Sequence, residues 1–423
     1  MVKEAYCKKT LFISVLICLF VFYSGLFEIP PRNPLKTIVP HDKINFVSGE
    51  IVSSPVKSSS QKYYIASLKV NYVQSVNNLK SSSSGIVQIF IPTKMAEVFF
   101  PGKLYSSVKK ENAFLYEKGG FYSFSGKMNN GIFFVEKCKS SFWKNTFWGK
   151  ISYFRALCRL QLKRMLYSWG SAGGLFLALI CGAREYIQPN VQDAFKNSGL
   201  SHILALSGMH LSLFGGIATF FGKKIKNRNF EFIFKIVLLS FFIWFAGLSP
   251  SLLRAFICNI FIMAQIISGS KKIDMVLVLC FSFLLQSIIS PADLFNLGFM
   301  FSYGALFGIL LTSEFIQKRI SFMFPKYLSN SLSSSAGAQF FTIPISIKNF
   351  GTFTPIGIFS TVLVSPLVTI FIYSGLICFL LSLIFPLFIS TSGIFMNFLY
   401  TLITKIVLFF SQFPLIEVFN ATS

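Results

Sequence analysis

Acid is what this chain lacks. Only 15 Asp and Glu stand against 39 Lys and Arg, and charged residues make up just 13% of 423 positions. That excludes an ordinary soluble domain, whose surface carries mixed charge of both signs. Histidine is scarcer still, three in all, and the last of them is His210. Eight cysteines occur, but no CxxC pair, and most fall in apolar segments. Neither a disulfide framework nor a structural zinc site is therefore expected, and no cofactor. No GxxxxGK[ST] string is present, so any nucleotide-driven step would come from another protein.

What is there in abundance is hydrocarbon. Hydrophobic residues make up 53% of the chain, the mean hydropathy is +0.63, and Phe alone supplies 53 residues. Apolar runs long enough to span a bilayer recur from Phe230 to Leu415, which predicts a mostly α polytopic membrane protein. The net charge of +24 suits positive-inside loops and anionic headgroups, and equally a polyanionic substrate.

Four regions follow one another. Residues 1–30 hold Lys8 and Lys9 ahead of an apolar run, Leu11 to Phe27, that ends in "EIPPRNP" without a small-residue cleavage site. They are expected to be an uncleaved membrane anchor with a cytoplasmic N-terminus. Residues 41–139 change character: "FVSGEIV", "YYIASLKVNYVQ", "GIVQIFI", "KLYSSVKK" and "FYSFSGKMNNGIFFVEK" are short β-rich runs between Ser, Asn and Gly turns. They predict an extracytoplasmic OB-like β-barrel with "MNNG" as a hairpin turn. Residues 41–140 carry 13 Lys against 6 acidic residues, so the barrel could bind single strands or serve as a solvated spacer. Residues 142–170 place Arg155, Arg159, Lys163 and Arg164 at helical spacing among Phe, Leu and Trp. That predicts a basic amphipathic helix in the membrane interface, with contact to DNA as the alternative. Residues 171–415 form the polytopic core. Its basic loops "KKIKNR", Lys271–Lys272 and "QKRISFMFPK" are expected in the cytoplasm, with spans at 203–221, 230–248, 252–269, 274–289 and 295–316. Segment 172–187 is too short to span comfortably and is expected to be re-entrant or interfacial. Beyond Ser329 apolar stretches are broken by Pro344, Pro355, Pro366 and Pro386.

The stretch "HILALSGMHLSLFGG" from His202 mixes polar and small residues into an apolar run. On a helix, Ser201, Ala205, Gly208, Ser212, Gly215 and Gly216 share one face, a stripe that lets a second helix approach. The opposite face carries Ser207 and His210 as i,i+3 neighbours. The pair either fixes packing, borders a hydrated path or forms a nucleophilic dyad; no orienting acid or oxyanion feature accompanies it. His202 and His210 lie about 80° apart on the helical wheel, a poor metal pair.

"GLSPSLLRAFICNIFIMAQIISG" opens with Ser249 as cap and Pro250 at the first helical position. Ser251, Arg254, Cys258, Gln265 and Gly269 then share a face. A cation at Arg254 sits where the macrodipole favours negative charge, so an anion should compensate: lipid phosphate, Asp293 or a DNA phosphate.

These strings resemble the ComEC competence family. The resemblance rests on "GLSHILALSGMHLSLFGG", "GLSPSLLRAF", "LGFMFSYGALFGI" and "QFFTIPISIKNFGTFTPIGIFSTVLVSPLV", and it covers nearly the whole chain. Where the family often has Q-L-S-[FY], Met300, Phe301, Ser302 and Tyr303 stand here, and Thr361 replaces the Asn of N-L-L-x-x-P. The resemblance implies a channel for single-stranded DNA in the cytoplasmic membrane, with Ser207, His210, Ser251, Arg254 and Gln265 along the path, and no enzymatic activity. It also implies a separate ATP-driven helicase or motor, contact with anionic lipid and possible homo-oligomers. A C-terminal metallo-β-lactamase-like domain is not expected, since no His follows His210, and a separate nuclease would be needed. A transporter or scramblase of another anion, such as a lipid or envelope precursor, and an intramembrane Ser/His hydrolase are the competing expectations.

Overall fold

The computed structural model describes residues 11–19, 35–58, 60, 62–77, 79–96, 116–225, 228–269, 273–385 and 387–417. The predicted strand "KLYSSVKK", the pair Lys271–Lys272, Pro386 and most of the expected anchor lie outside them; of the anchor, a helix α1 (11–19) is described. The chain divides into two compact units, one of residues 30–168 and 183–185, the other of 1–29, 169–182 and 186–423.

The first unit holds strands β1 (Ile44–Ile51), β2 (Val56–Lys57), β3 (Tyr63–Ser75), β4 (Lys80–Ser82), β5 (Ile86–Pro92), β6 (Phe121–Asn129) and β7 (Ile132–Phe142), with a short α2 (Thr93–Ala96) after β5. Burial alternates along β3 and β5, as expected of a sheet with one dry face. Strand β1 pairs antiparallel with both β3 and β6, and β5 pairs parallel with β7. The order β1-β6-β7-β5-β3 thus returns to β1 and closes an OB-like barrel. Its interior is filled by Val47, Ile51, Leu68, Val73, Ile89, Phe124 and Phe133. The "MNNG" hairpin forms as expected: Asn130 and Gly131 have φ of 47° and 76°, the left-handed pair of a two-residue loop matched to strand twist. At Gly126 the β6–β7 register shifts, and a methyl group there would collide with the carbonyl of Phe134.

Helix α3 (Phe147–Tyr167) completes this unit, capped by Thr146, whose side chain accepts from Gly149 N. Its polarity corrects the sequence expectation. Arg155 and Arg159 are buried, while Phe147, Trp148, Phe154 and Leu157 are exposed. The inward cations meet acid supplied from far along the chain. Arg159 Nε lies 3.3 Å from Glu117 Oε1, and Lys163 Nζ lies 3.5 Å from Glu117 and 3.9 Å from Glu185. Burial works to raise the Glu117 carboxyl, but Arg159, Lys163 and Arg155 outweigh it and hold the group below the usual carboxylate range. For Glu185 burial wins and the carboxyl moves up.

The second unit is helical: α4 (Gly170–Cys181), α5 (Pro189–Asn197), α6 (Ser201–Leu204), α7 (Gly208–Ile225), α8 (Arg228–Ala246), α9 (Pro250–Ile267), α10 (Met275–Ile289), α11 (Leu297–Ile320), α12 (Lys326–Phe350), α13 (Gly357–Ile384) and α14 (Phe388–Phe410). Five of these, α8, α9, α11, α13 and α14, contain stretches long and apolar enough to cross a membrane, and the protein is a polytopic membrane protein of mostly α structure. Helix α4, from the short segment 172–187, has only 12 residues and is buried throughout Ala172–Cys181, so it is an internal helix rather than one exposed at an interface. Pro344 and Pro366 do not break the chain as expected; both lie inside helices, α12 and α13. Packed neighbours and local adjustment satisfy the carbonyls that a helical proline frees. Two short strands, β8 (Thr352–Phe353) and β9 (Ile416–Glu417), pair antiparallel. Helix α1 packs by Val15, Cys18 and Leu19 on the cluster of Leu279, Phe283, Phe299 and Tyr303.

Candidate functional site

The single helix expected through residues 203–221 is broken. Helix α6 ends at Leu204, Ala205 is extended with ψ 135°, and α7 begins at Gly208. Ser207 and His210 make the break. The backbone N–H of Ser207 donates to His210 Nδ1 at 3.2 Å, Ser207 Oγ lies 3.3 Å from the same nitrogen, and His210 N returns to Ser207 O at 3.1 Å. This is one half of a capping box: the imidazole accepts from the residue-207 N–H as Glu or Gln usually does, while the return bond goes to the Ser207 carbonyl and not to its side chain. Since Nδ1 accepts from a main-chain N–H, it cannot also serve Ser207 as a general base, and the neutral ring carries its proton on Nε2. His210 is 1% exposed and Nε2 has no hydrogen-bond partner among the described residues.

The break also divides the expected packing stripe. Ser201 and Ser212 are exposed, and Ala205 lies between the two helices. The glycines face different neighbours: Gly208 meets Arg254 and Ala255 of α9, Gly215 meets Lys235 and Leu239 of α8, and Gly216 meets Tyr373 of α13. Small residues therefore admit three helices to α7, one each, in place of a single close partner.

Helix α9 starts as its sequence predicts, with Ser249 Oγ accepting from Leu252 N at 3.3 Å and Pro250 at the first position. One turn on, Arg254 reaches into a polar junction. Its Nη1 donates to the carbonyl of Ser302 on α11, and its guanidinium carbon stands 5.9 Å from the centre of the Tyr303 ring. Nη2 lies so close to α7 that a methyl group on Gly208 would stand 3.0 Å from it. The structure thus brings Arg254 to the first turn of α7, beside Ser207 and His210. No carboxylate lies within ion-pair distance of Arg254 among the described residues, and its Nε has no hydrogen-bond partner there. Asp293, one expected counter-ion, instead accepts from Gln286 Nε2 at 3.2 Å.

Ser251 joins the same end of α9, donating to Gly298 O at 3.2 Å. Gln265 does not: it lies eleven residues beyond Arg254, about 16 Å along the helix axis, and its buried Oε1 has no partner among the described residues. Gly269 falls past the end of α9, with φ 75°.

Sequence reasoning missed a second set of polar residues behind Arg254. Gln286 on α10 donates to Pro250 O at 3.1 Å and accepts from the Tyr303 hydroxyl at 3.1 Å, and that hydroxyl lies 3.3 Å from Ser282 Oγ. Gln286 and Ser282 are fully buried. A lone Gln in the apolar run "MVLVLCFSFLLQSII" was the available signal, since intramembrane polar groups seek partners. Together these bonds anchor the N-terminal turn of α9 and the ring beneath Arg254. The guanidinium is held in place while part of its hydrogen-bonding capacity stays unspent. Such a group can take an oxyanion.

A family model described as competence protein matches residues 179–422. The chain is 25% identical over 240 residues to ComE operon protein 3 of Bacillus subtilis (strain 168), covering 55% of this chain and 30% of the relative. It is 25% identical over 175 residues to recombination protein 2 of Haemophilus influenzae (strain ATCC 51907 / DSM 11121 / KW20 / Rd), covering 39% and 22% respectively. An uncharacterized protein of Aquifex aeolicus (strain VF5) is 25% identical over 238 residues, 56% of this chain and 54% of that protein. The chain thus spans about half or less of each relative's length. No solved structure matches. The family match takes in more than half of the sequence, including the α7 cap, Arg254 and the residues behind it, and the chain belongs to the competence protein family.

Proposed function

We propose that this protein passes single-stranded DNA inward across the cytoplasmic membrane during DNA uptake. The observation that carries the reading is Arg254, a cation without a carboxylate partner among the described residues, set against the first turn of α7 between spans of a polytopic domain. A half-buried guanidinium next to a helix N-terminus is a place of positive potential that favours an anion. A phosphodiester supplies one at every nucleotide and can be handed on as the strand moves. Ser207, His210 and Ser251 flank that place, and Gln265 marks the route further along α9. The basic barrel gathers the strand, and the exposed aromatic face of α3 rests at the headgroups of an anionic leaflet. Energy comes from a cytoplasmic motor or helicase, and the strand left outside is removed by a separate nuclease.

The test is uptake of labelled DNA in cells with and without this protein, followed by crosslinking of the incoming strand to photoreactive groups at positions 207, 210 and 254. Loss of uptake with crosslinks at these positions is expected. Normal uptake accompanied by an envelope defect would transfer the site to a lipid or envelope precursor.

A further inference from the structure

A second cation meets α7 from within an apolar span. Lys235 lies inside Asn229–Ala246 of α8, and its side chain rests against Gly215. A methyl group on that glycine would stand 3.3 Å from Lys235 Cε and 3.9 Å from Nζ. The ammonium therefore stays level with the middle of α7 (Gly208–Ile225). It does not reach for either end, where long basic side chains in membranes normally go. No carboxylate lies within ion-pair distance of Lys235 among the described residues. The acid on its own helix, Glu231, is one turn away and stands against Gly222, nearer the end of α7.

Gly208 and Gly215 are two turns apart on α7, about 20° apart around its axis and about 10 Å along it. Arg254 from α9 and Lys235 from α8 are thus brought to one face of one helix, each over a glycine. Ser212 lies between them on that face and is exposed. Two cations without carboxylate partners are costly in a membrane domain, and a shared face calls for negative charge repeated along a line. A lipid headgroup or a halide offers its charge at one point. A phosphodiester strand offers one charge per nucleotide, at about 3.4 Å per nucleotide when stacked, so the two cations stand about three nucleotides apart. We infer that Lys235 is a second phosphate-holding residue, which takes one phosphate of the strand while another is held at Arg254. The inference rests on the transport reading and gives the strand a course along α7, from Gly208 toward Gly215. An ammonium binds phosphate as a point charge, without the fixed fork of a guanidinium, which suits a place that must let go.

The experiment follows labelled DNA into cells that produce the full chain, unmodified or as Lys235→Met or Lys235→Arg, with membrane-fraction immunoblots beside it. A photoreactive group at position 207 reports arrival of the strand at the start of α7. Lys235→Met keeps the length of the side chain and removes its charge. It should leave the crosslink at 207 in place and lower the rate of internalisation at least about tenfold, the usual weight of one charge-assisted hydrogen bond. Lys235→Arg should restore most of that rate. Unchanged uptake in Lys235→Met would overturn the inference and leave transport standing, and loss of phosphatidylglycerol from the purified variant would then place the ammonium at a lipid headgroup. Equal loss in Lys235→Arg would reduce the side chain to packing. Should Lys235→Met fail to accumulate, a photoreactive residue at 235 itself decides: crosslinks to the strand are expected, and their absence beside a crosslink at 207 would overturn the inference. Equal uptake with and without the unmodified protein would remove the strand, and both readings with it.

Discussion

Arg254 and Gly208 touch. The guanidinium of α9 crowds the space that a side chain at residue 208 would take, so the "LSGMH" and "PSLLRA" strings meet in three dimensions although 46 positions separate the two residues. A larger residue at 208 must push Arg254 off the Ser302 carbonyl. Gly208→Leu should lower the thermal midpoint of the purified protein by an amount equivalent to about 1–3 kcal/mol, the usual range for overpacking. Gly208→Ala should cost less, since a guanidinium is the far end of a flexible side chain. A Gly208→Leu variant with an unchanged midpoint would mean the contact is slack.

Arg254→Glu should block DNA uptake while the protein still inserts and accumulates in the membrane, because it reverses the sign of charge at the α7 cap. Arg254→Lys should be milder: it retains the charge but loses the planar fork that spans Ser302 and α7. Labelled-DNA uptake beside membrane-fraction immunoblots reads both. Wild-type uptake by the Glu variant would assign Arg254 to packing alone.

Ser207→Ala should leave uptake intact. The backbone N–H that holds His210 remains, and only the 3.3 Å contact between the hydroxyl and Nδ1 is lost. Complete loss of function in a stable Ser207→Ala protein would revive a nucleophilic role for that hydroxyl.

Tyr303→Phe removes the hydroxyl shared by Gln286 and Ser282 and leaves Gln286 Oε1 without that donor. Within a membrane protein such a loss costs about 0.6–1.7 kcal/mol. A measurable fall in thermal midpoint is expected in detergent, and Gln286→Leu combined with Tyr303→Phe should recover part of it.

Acid should weaken the barrel unit through Glu117. Its folded-state carboxyl lies below the usual range, so its contribution to stability is present above the unfolded value and is lost as pH falls through the folded one. Glu185, raised by burial, acts with the opposite sign: stability is gained as pH falls through its folded value. Glu117→Gln removes the buried carboxylate that Arg159 and Lys163 share and should cost about 3–5 kcal/mol at neutral pH, with a flatter stability profile on acidification. An unchanged acid limb, followed by barrel-region hydrogen exchange, would count against Glu117 as the titrating group.

Local rules were legible in the sequence and distant partnerships were not. Period-two alternation marked β1, β3 and β5, "MNNG" marked the hairpin, and Ser249–Pro250 marked the start of α9. Each of these is decided by neighbours in the chain. The break before α7 was hidden because the apolar period runs through residues 203–217 without interruption, and the imidazole that ends it looks like any membrane histidine. The basic face of α3 was expected to point at headgroups. Glu117, 42 residues before Arg159, turns it inward, and nothing near either residue announces the pair. Of the candidate path, Ser207, His210, Ser251 and Arg254 gather near the ends of α7 and α9. Gln265 stays apart, because a shared helical face says nothing about distance along the axis.

The ring of strands in the first unit has a consequence for what can approach it. Among the described residues each long strand has a neighbour on both sides for at least part of its length, but β7 meets β5 only at residues 132–134, and its second half has β6 on one side alone. Another polypeptide annealing to this domain would gain most along that half of β7 and little around the closed part of the ring.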